Sequence, residues 1–201
     1  VYRVALEVDP QGKRVMGRII EKKPATSEAR VRVVLYFGLS NRDKVEWILQ
    51  KGTEIGVSEF SPFVSSRTLV QSTSLSEKRI VRWEKIVREA AEQSGRGELP
   101  VLNCPREVEV CFRTAAQELD LCLIAWERAD LHERDIDQWI QTYKGHSIAL
   151  FVGPEGGFSE NEIQVGRAAG CETVSLGRRI MRMETAAIVF PAIVLHELGE
   201  L

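Results

Sequence analysis

The chain is 201 residues long, 44% hydrophobic and 28% charged, with a formal net charge of −2. That length allows one large or two small domains with a substantial buried core, and the composition is that of an ordinary globular chain. No apolar run approaches the ~20 residues of a membrane-spanning helix, and the near-neutral charge does not mark a nucleic-acid binder, so any RNA contact needs a local basic patch or residues beyond this chain.

The chain opens on Val1 rather than Met, so its N-terminus is expected to have been lost or trimmed. No signal peptide is visible in what remains. Val1–Pro24 alternates apolar and polar residues (Val4, Leu6, Val8; Val15, Gly17, Ile19) around Gly12, which predicts a hairpin. An isolated hairpin is marginal, so this one reads as the remnant of a small N-terminal β-domain. Ala25–Arg30 is polar and reads as a linker.

Val31–Phe37 is the first run that suits a buried strand. Asn41–Ile55 follows with Val45, Ile48, Leu49, Gly52 and Ile55 at helical spacing, and Gly56 ends it. Glu59–Val64 reads as a short strand and Ser65–Ser74 as a polar loop. Ser76 is placed to cap a long helix with an apolar face of Ile80, Trp83, Val87, Ala90 and Ala91, stopped by Gly95. Trp47 and Trp83 both fall at core-like positions. Leu99–Glu109 reads as irregular, with a short helix around Phe112–Glu118, a strand Leu121–Ala125 and a helix Asp135–Thr142. The four cysteines (Cys104, Cys111, Cys122, Cys171) form no C-x-x-C pair; they read as reduced and mostly buried, which points to the cytoplasm.

The C-terminal quarter is the most informative. Ile148–Val152 is continuous and apolar, as in a strand buried on both faces. GPEGG (Gly153–Gly157) and a helix follow. Ser159 with Glu162 makes a capping box, and Phe158 with Ile163 a hydrophobic staple. The pattern repeats as TVSL (Thr173–Leu176), the loop GRRIMRME (Gly177–Glu184) and an apolar helix with Thr185 as its N-cap and Pro191 inside it, where a kink is expected. Strands alternating with helices predict an α/β fold with a mostly parallel sheet and helices on both faces. A ligand is expected over the carboxyl ends of the strands.

The sequence lacks G-x-G-x-x-G after its first strand, G-x-x-x-x-G-K-[ST], H-E-x-x-H and G-x-S-x-G, and His132, His146 and His196 lie far apart. What remains is a pair of glycine loops with a few charges and no obvious nucleophile. That suits a small molecule held by backbone groups, and chemistry done by positioning a reactive cofactor.

GPEGGFSENE (Gly153–Glu162) and LGRRIMRMETA (Leu176–Ala186), in this order and spacing, resemble the SPOUT methyltransferases, and more narrowly the ribosomal RNA small subunit methyltransferase E family. EWILQKGTEIGVSEFSPFVSSRT (Glu46–Thr68) and EAAEQSGR (Glu89–Arg96) agree. The resemblance covers Val31 to the C-terminus, and residues 1–24 resemble the end of that family's PUA-like N-terminal β-domain. It implies a SPOUT domain over residues 31–201 with a C-terminal trefoil knot built from Val152–Ser159, Leu176–Thr185 and the last helix. It also implies bent S-adenosylmethionine in the knot, transfer of its methyl group to N3 of a uridine in 16S rRNA of the small ribosomal subunit, a homodimer with the cofactor at the interface, and no metal. The last helix, apolar nearly all round, agrees with a dimer. The alternatives are a SPOUT enzyme acting on another RNA atom such as a ribose 2′-oxygen, a knotted RNA-binding assembly factor without turnover, and a small-molecule methyltransferase.

Residue by residue, the resemblance assigns cofactor contact to Gly153, Pro154, Glu155, Gly156 and Gly157, and to Leu176, Gly177, Ile180, Met181, Arg182, Thr185 and Ala186. Trp126 and Glu127 match a third cofactor loop, where Glu127 either accepts from ribose hydroxyls or is a surface carboxylate. Arg182 and Glu184 are the candidates at the reacting centre. N3 of uracil must lose its proton before it attacks a methyl carbon well, and a guanidinium beside O2 or O4 stabilises the resulting anion. Glu184 accepts a proton or anchors the arginine; the plainer alternative is an Arg182–Glu184 ion pair. Arg178 and Arg179 are candidates for RNA contact. Lys51, Arg67, Gln93 and Arg96 match family positions, with a solvated or helix-capping role as the alternative. Arg178 stands where the family commonly has proline, and Gly52 where it commonly has alanine.

Overall fold

The computed structural model describes residues 2–24, 26–129 and 136–201. The alternating N-terminal stretch forms an antiparallel hairpin of β1 (Tyr2–Val8) and β2 (Val15–Lys22). The Asp9 carboxylate closes the turn by accepting from the Lys13 and Arg14 amides. These strands make a sheet of their own, and Leu6, Val8, Val15, Met16 and Ile19 stay exposed on it. Val1 and the first linker residue, Ala25, lie outside the described residues, as do Asp135 and His132.

The rest of the chain runs β3 (Arg32–Gly38), α1 (Arg42–Ile55), β4 (Glu59–Val64), α2 (Glu77–Ser94), β5 (Val101–Leu102), β6 (Arg106–Glu107), α3 (Val108–Glu118), β7 (Leu121–Ala125), α4 (Ile136–Thr142), β8 (Ser147–Val152), α5 (Glu160–Ala169), β9 (Glu172–Val174) and α6 (Met183–Glu197). The strands order as β5-β4-β3-β8-β7-β9, with β6 also on β4, and every described pairing among them is parallel. Period-two alternation sends neighbouring residues to opposite faces. Leu35, Phe37, Leu150 and Val152 pack in one core with Ile48, Leu49, Trp83, Phe190 and Val194 of the helices on that side. Val34, Tyr36 and Phe151 pack in a second core with Phe112, Phe158 and Ile163 beneath α3 and α5. Because both faces are covered, β3 and β8 read as unbroken apolar runs rather than alternating ones.

The second core is rich in aromatic rings, and it lies beneath the loop after β8. Tyr36 stacks on Phe151 with centroids 4.2 Å apart, Phe112 tilts against Phe151 at 4.7 Å, and Phe158 lies 5.7 Å from Phe63.

Several expectations are corrected. Leu99–Glu109 is not wholly irregular: β5 and β6 each add two residues to β4, too short for alternation to reveal. Trp47 is half exposed, with the Lys51 ammonium 5.5 Å from its ring centroid; helical spacing placed it at the rim of the apolar face rather than inside it. Ser76 stands at the N-cap of α2 but makes no side-chain capping bond. Thr185 is not an N-cap. The last helix starts two residues earlier, at the buried Met183, with Arg182 in extended conformation before it. Burying Met183 and placing Glu184 against the positive end of the helix outweigh the capping preference of a threonine hydroxyl. Pro191 lies inside α6, which continues through it to Glu197.

Candidate functional site

The site begins where β8 ends. Gly153–Gly157 turns over the carboxyl end of the sheet, and its shape is fixed from three sides. At Gly38, the last residue of β3, a Cβ would stand 2.7 Å from the backbone of Pro154, so glycine is what lets the loop lie down on the neighbouring strand. Gly157 is left-handed (φ 66°), which reverses the chain into α5. From the loop after β4, Arg67 Nη1 donates to the carbonyls of Gly156 (3.0 Å) and Phe158 (3.2 Å). That same loop is fastened to α5: buried Glu162 accepts from the Ser66 amide and hydroxyl, both at 2.9 Å, while completing the capping box with Ser159. Burial pushes the Glu162 carboxyl up, but these donors outweigh it and hold it below 4.5.

The second loop, Ser175–Arg182, is shaped differently. Gly177 is left-handed (φ 110°) with no atom near its missing Cβ. The Ser175 hydroxyl accepts from the Gly177 amide at 3.2 Å. Arg178, Arg179 and Arg182 are exposed and Ile180 is 85% exposed. The third piece is the turn after β7. The Trp126 amide donates to the Val174 carbonyl at 3.0 Å, which ties it to β9, and Glu127 approaches Gly157.

These three turns enclose one cavity of about 570 Å³. Trp126, Glu127, Gly153, Pro154, Glu155, Gly156, Gly157, Leu176, Gly177, Arg178, Arg179, Ile180, Met181, Arg182 and Ala186 all line it. It lies at the carboxyl ends of β7, β8 and β9, where open α/β sheets take their ligands. Two expected members fall outside the wall. Thr185 is exposed in the first turn of α6 and Glu184 beside it is half-buried, and neither lines the cavity. The Arg182–Glu184 ion pair does not form: Glu184 Oε2 lies 3.5 Å from Lys44 Nζ instead, and Arg182 makes no ion pair among the described residues.

Sequence reasoning missed Lys44 and Ser40. Lys44 Nζ donates to Glu155 Oε1 at 2.9 Å, and the Ser40 hydroxyl donates to the same oxygen. Burial pushes the Glu155 carboxyl up, yet these two bonds hold it below 4.5, and the bond to Glu155 raises the lysine. One signal was available. Lys44 is in the first turn of α1, where the helix dipole disfavours a cation.

The six proposed substrate-side residues divide. Arg178 and Arg179 are on the cavity wall and Arg67 braces it. Lys51 pairs with Glu54 at 2.8 Å, and Gln93 lines a separate α1–α2 groove with Trp47 and Glu54. Arg96 is spent inside the fold: it pairs with Glu28 at 2.7 Å and donates to the Thr53 and Val57 carbonyls, satisfying the open end of α1.

Residues 27–195 match the RNA methyltransferase domain family, and a parallel sheet with a glycine-walled cavity at its carboxyl edge is the arrangement seen here. The Bacillus subtilis (strain 168) ribosomal RNA small subunit methyltransferase E is 35% identical over 180 residues, covering 87% of this chain and 70% of that protein. Its namesake from Mesomycoplasma hyopneumoniae (strain 232) is 35% identical over 172 residues, 86% of this chain and 73% of that protein. The chain therefore belongs to the ribosomal RNA small subunit methyltransferase E family. Among solved structures, the Neisseria gonorrhoeae member bound to S-adenosylmethionine superposes with a TM-score of 0.77 at 28% identity, covering 97% of this chain and 78% of that one.

Proposed function

We propose that this protein transfers a methyl group from S-adenosylmethionine to N3 of a uridine in 16S rRNA of the small ribosomal subunit. The observation that carries the reading is the convergence of three backbone turns and Arg182 on one cavity. The residues fit the donor. The cavity's volume is that of a small-molecule site; the Gly153–Gly157 and Leu176–Gly177 turns that line it would hold the adenosine, and Trp126 with Glu127 its ribose. When bound, S-adenosylmethionine supplies an electrophilic methyl group on a positively charged sulfur.

The chain's own part is to make uracil a nucleophile. Its N3–H must be lost, leaving negative charge shared among N3, O2 and O4. Arg182, exposed on the cavity wall with no ion-pair partner among the described residues, is free to stabilise that charge. Glu184 serves as an anchor, since it does not line the cavity and lies 3.5 Å from the ammonium of Lys44, which does. Arg178 and Arg179 give the RNA backbone a local basic patch that the net charge of −2 conceals.

Three further features belong to the same reading. α6 leaves β9 at the sheet edge and returns to pack on β3, β8, α1 and α4, which supports a trefoil knot. Ile188, Val189, Ala192 and Ile193 are only half buried on α6, which supports a homodimer. The separate β1–β2 sheet supports residues 1–24 as the remnant of a PUA-like β-domain ahead of a 31–201 methyltransferase domain.

The test is methyl transfer to small subunits from a strain lacking this enzyme, followed by nucleoside analysis. N3-methyluridine is the expected product, and any other methylated nucleoside rejects the substrate assignment. Arg182→Ala is expected to abolish turnover while donor affinity changes little. Unaltered turnover in that variant removes Arg182 from the chemistry.

A further inference from the structure

The cluster of Lys44, Glu155 and Glu184 joins three segments far apart in sequence. We infer that Lys44 is a positioning residue of the donor cavity: its ammonium, shared by the two carboxylates, ties the first glycine loop to the first turn of α6. The inference rests on the reading of this cavity as a donor site.

The geometry carries it. Lys44 Nζ lies 2.9 Å from Glu155 Oε1 and 3.5 Å from Glu184 Oε2. Glu155 belongs to the loop after β8, Glu184 to the turn that follows the second loop, and Lys44 to the helix after β3. One side chain thus links the first glycine loop, the start of α6, whose Met183 and Ala186 line the cavity, and the helix after the central strand β3. Glu184 Oε2 is buried and has no hydrogen-bond partner. An unsatisfied buried carboxylate oxygen is costly, and the nearby ammonium is the compensation the fold supplies. The position of Lys44 is not explained by helix stability, because a cation in a first turn opposes the macrodipole.

The surrounding charges do not replace it. Arg79 of α2 is turned to the Ser40 carbonyl at 3.3 Å. Arg42 and Arg82 are committed to Glu46. Arg178, Arg179 and Arg182 line the cavity from the second loop, and Glu127 from the turn after β7, without an ion pair to either carboxylate among the described residues. Without Lys44, two carboxylates are left together, and like charges that close are relieved only by separation or by taking up a proton. Separation means that the first glycine loop moves away from the start of α6, whose Met183 and Ala186 line the cavity.

Lys44→Met, Lys44→Arg and the double variant Lys44→Met/Glu155→Gln test this, by calorimetry with S-adenosylmethionine and by thermal melting of the ligand-free protein, both from pH 5 to pH 8. Lys44→Met is expected to weaken donor binding at pH 8 by about tenfold or more, the equivalent of one pKa unit of charge pairing. The deficit shrinks towards pH 5 as the carboxylate pair takes up a proton. The double variant recovers most of the loss, and Lys44→Arg retains most of the affinity. A lysine that merely packs would give a deficit independent of pH and unrelieved by Glu155→Gln; that result, or wild-type affinity in Lys44→Met, overturns the inference. If the wild-type protein binds no S-adenosylmethionine, the donor reading fails, and melting decides on Lys44 alone. A pH-dependent loss of melting temperature relieved by Glu155→Gln supports the tie, and its absence overturns it.

Discussion

The two glycine loops look alike in sequence and are built in opposite ways. Gly153–Gly157 rests on Gly38, is held by Arg67 and Lys44, and sits over a floor of stacked aromatic rings. Ser175–Arg182 has a serine–glycine turn, open space at Gly177, and an isoleucine 85% exposed at its tip. The first loop is a fixed wall and the second an adaptable one. A site with one wall of each kind keeps the cost of ordering low on one side, and retains room for a large substrate to enter on the other.

Variants can break or sharpen that contrast. The largest effect is expected from Gly38→Val, which forces side-chain atoms into Pro154; overpacking of this kind costs ~1–3 kcal/mol and donor affinity falls with it, as melting and calorimetry would record. Glu162→Gln comes next. It removes the charge that gathers the Ser66 amide, the Ser66 hydroxyl and the Ser159 amide, and a loss of about 1–3 kcal/mol is expected in denaturant unfolding.

The pH dependence should follow the same wall. Glu155 and Glu162 are both held below their ordinary value of 4.5. Depressed carboxylates stabilise the fold above that value, and the contribution is lost as pH falls through their folded values. Melting temperature should therefore drop on acidification below about pH 4.5, and Glu162→Gln should drop less steeply. The smallest change in stability is expected for Ile180→Ser. Its side chain is already exposed, so unfolding should shift by no more than ~0.5 kcal/mol, while binding of donor or RNA changes. A large stability loss there would show the second loop to be as braced as the first.

What could be read from the sequence follows the same division. The capping box at Ser159–Glu162, the end of α1 at Gly56 and the parallel α/β order were legible because each rests on short-range rules. Trp47 was misplaced because spacing marks a face but not its edge, and Thr185 because the capping rule competes with burial of Met183. Arg96 and Lys44 are both held by partners far away in sequence, Glu28 and the Thr53 and Val57 carbonyls in one case, Glu155 and Glu184 in the other. No local pattern announces such bonds; only a charge placed against its helix dipole hinted at one of them.

Of the chain's four tryptophans, Trp126 alone lines the cavity, its indole half-buried with the Arg167 guanidinium 5.8 Å from the ring centroid. Trp83 is sealed in the core and Trp47 faces solvent on another surface. The protein thus carries an intrinsic optical probe on the wall of its own site. Ligand arrival should alter the emission of one indole against a steady background from the others, so occupancy can be followed without any label.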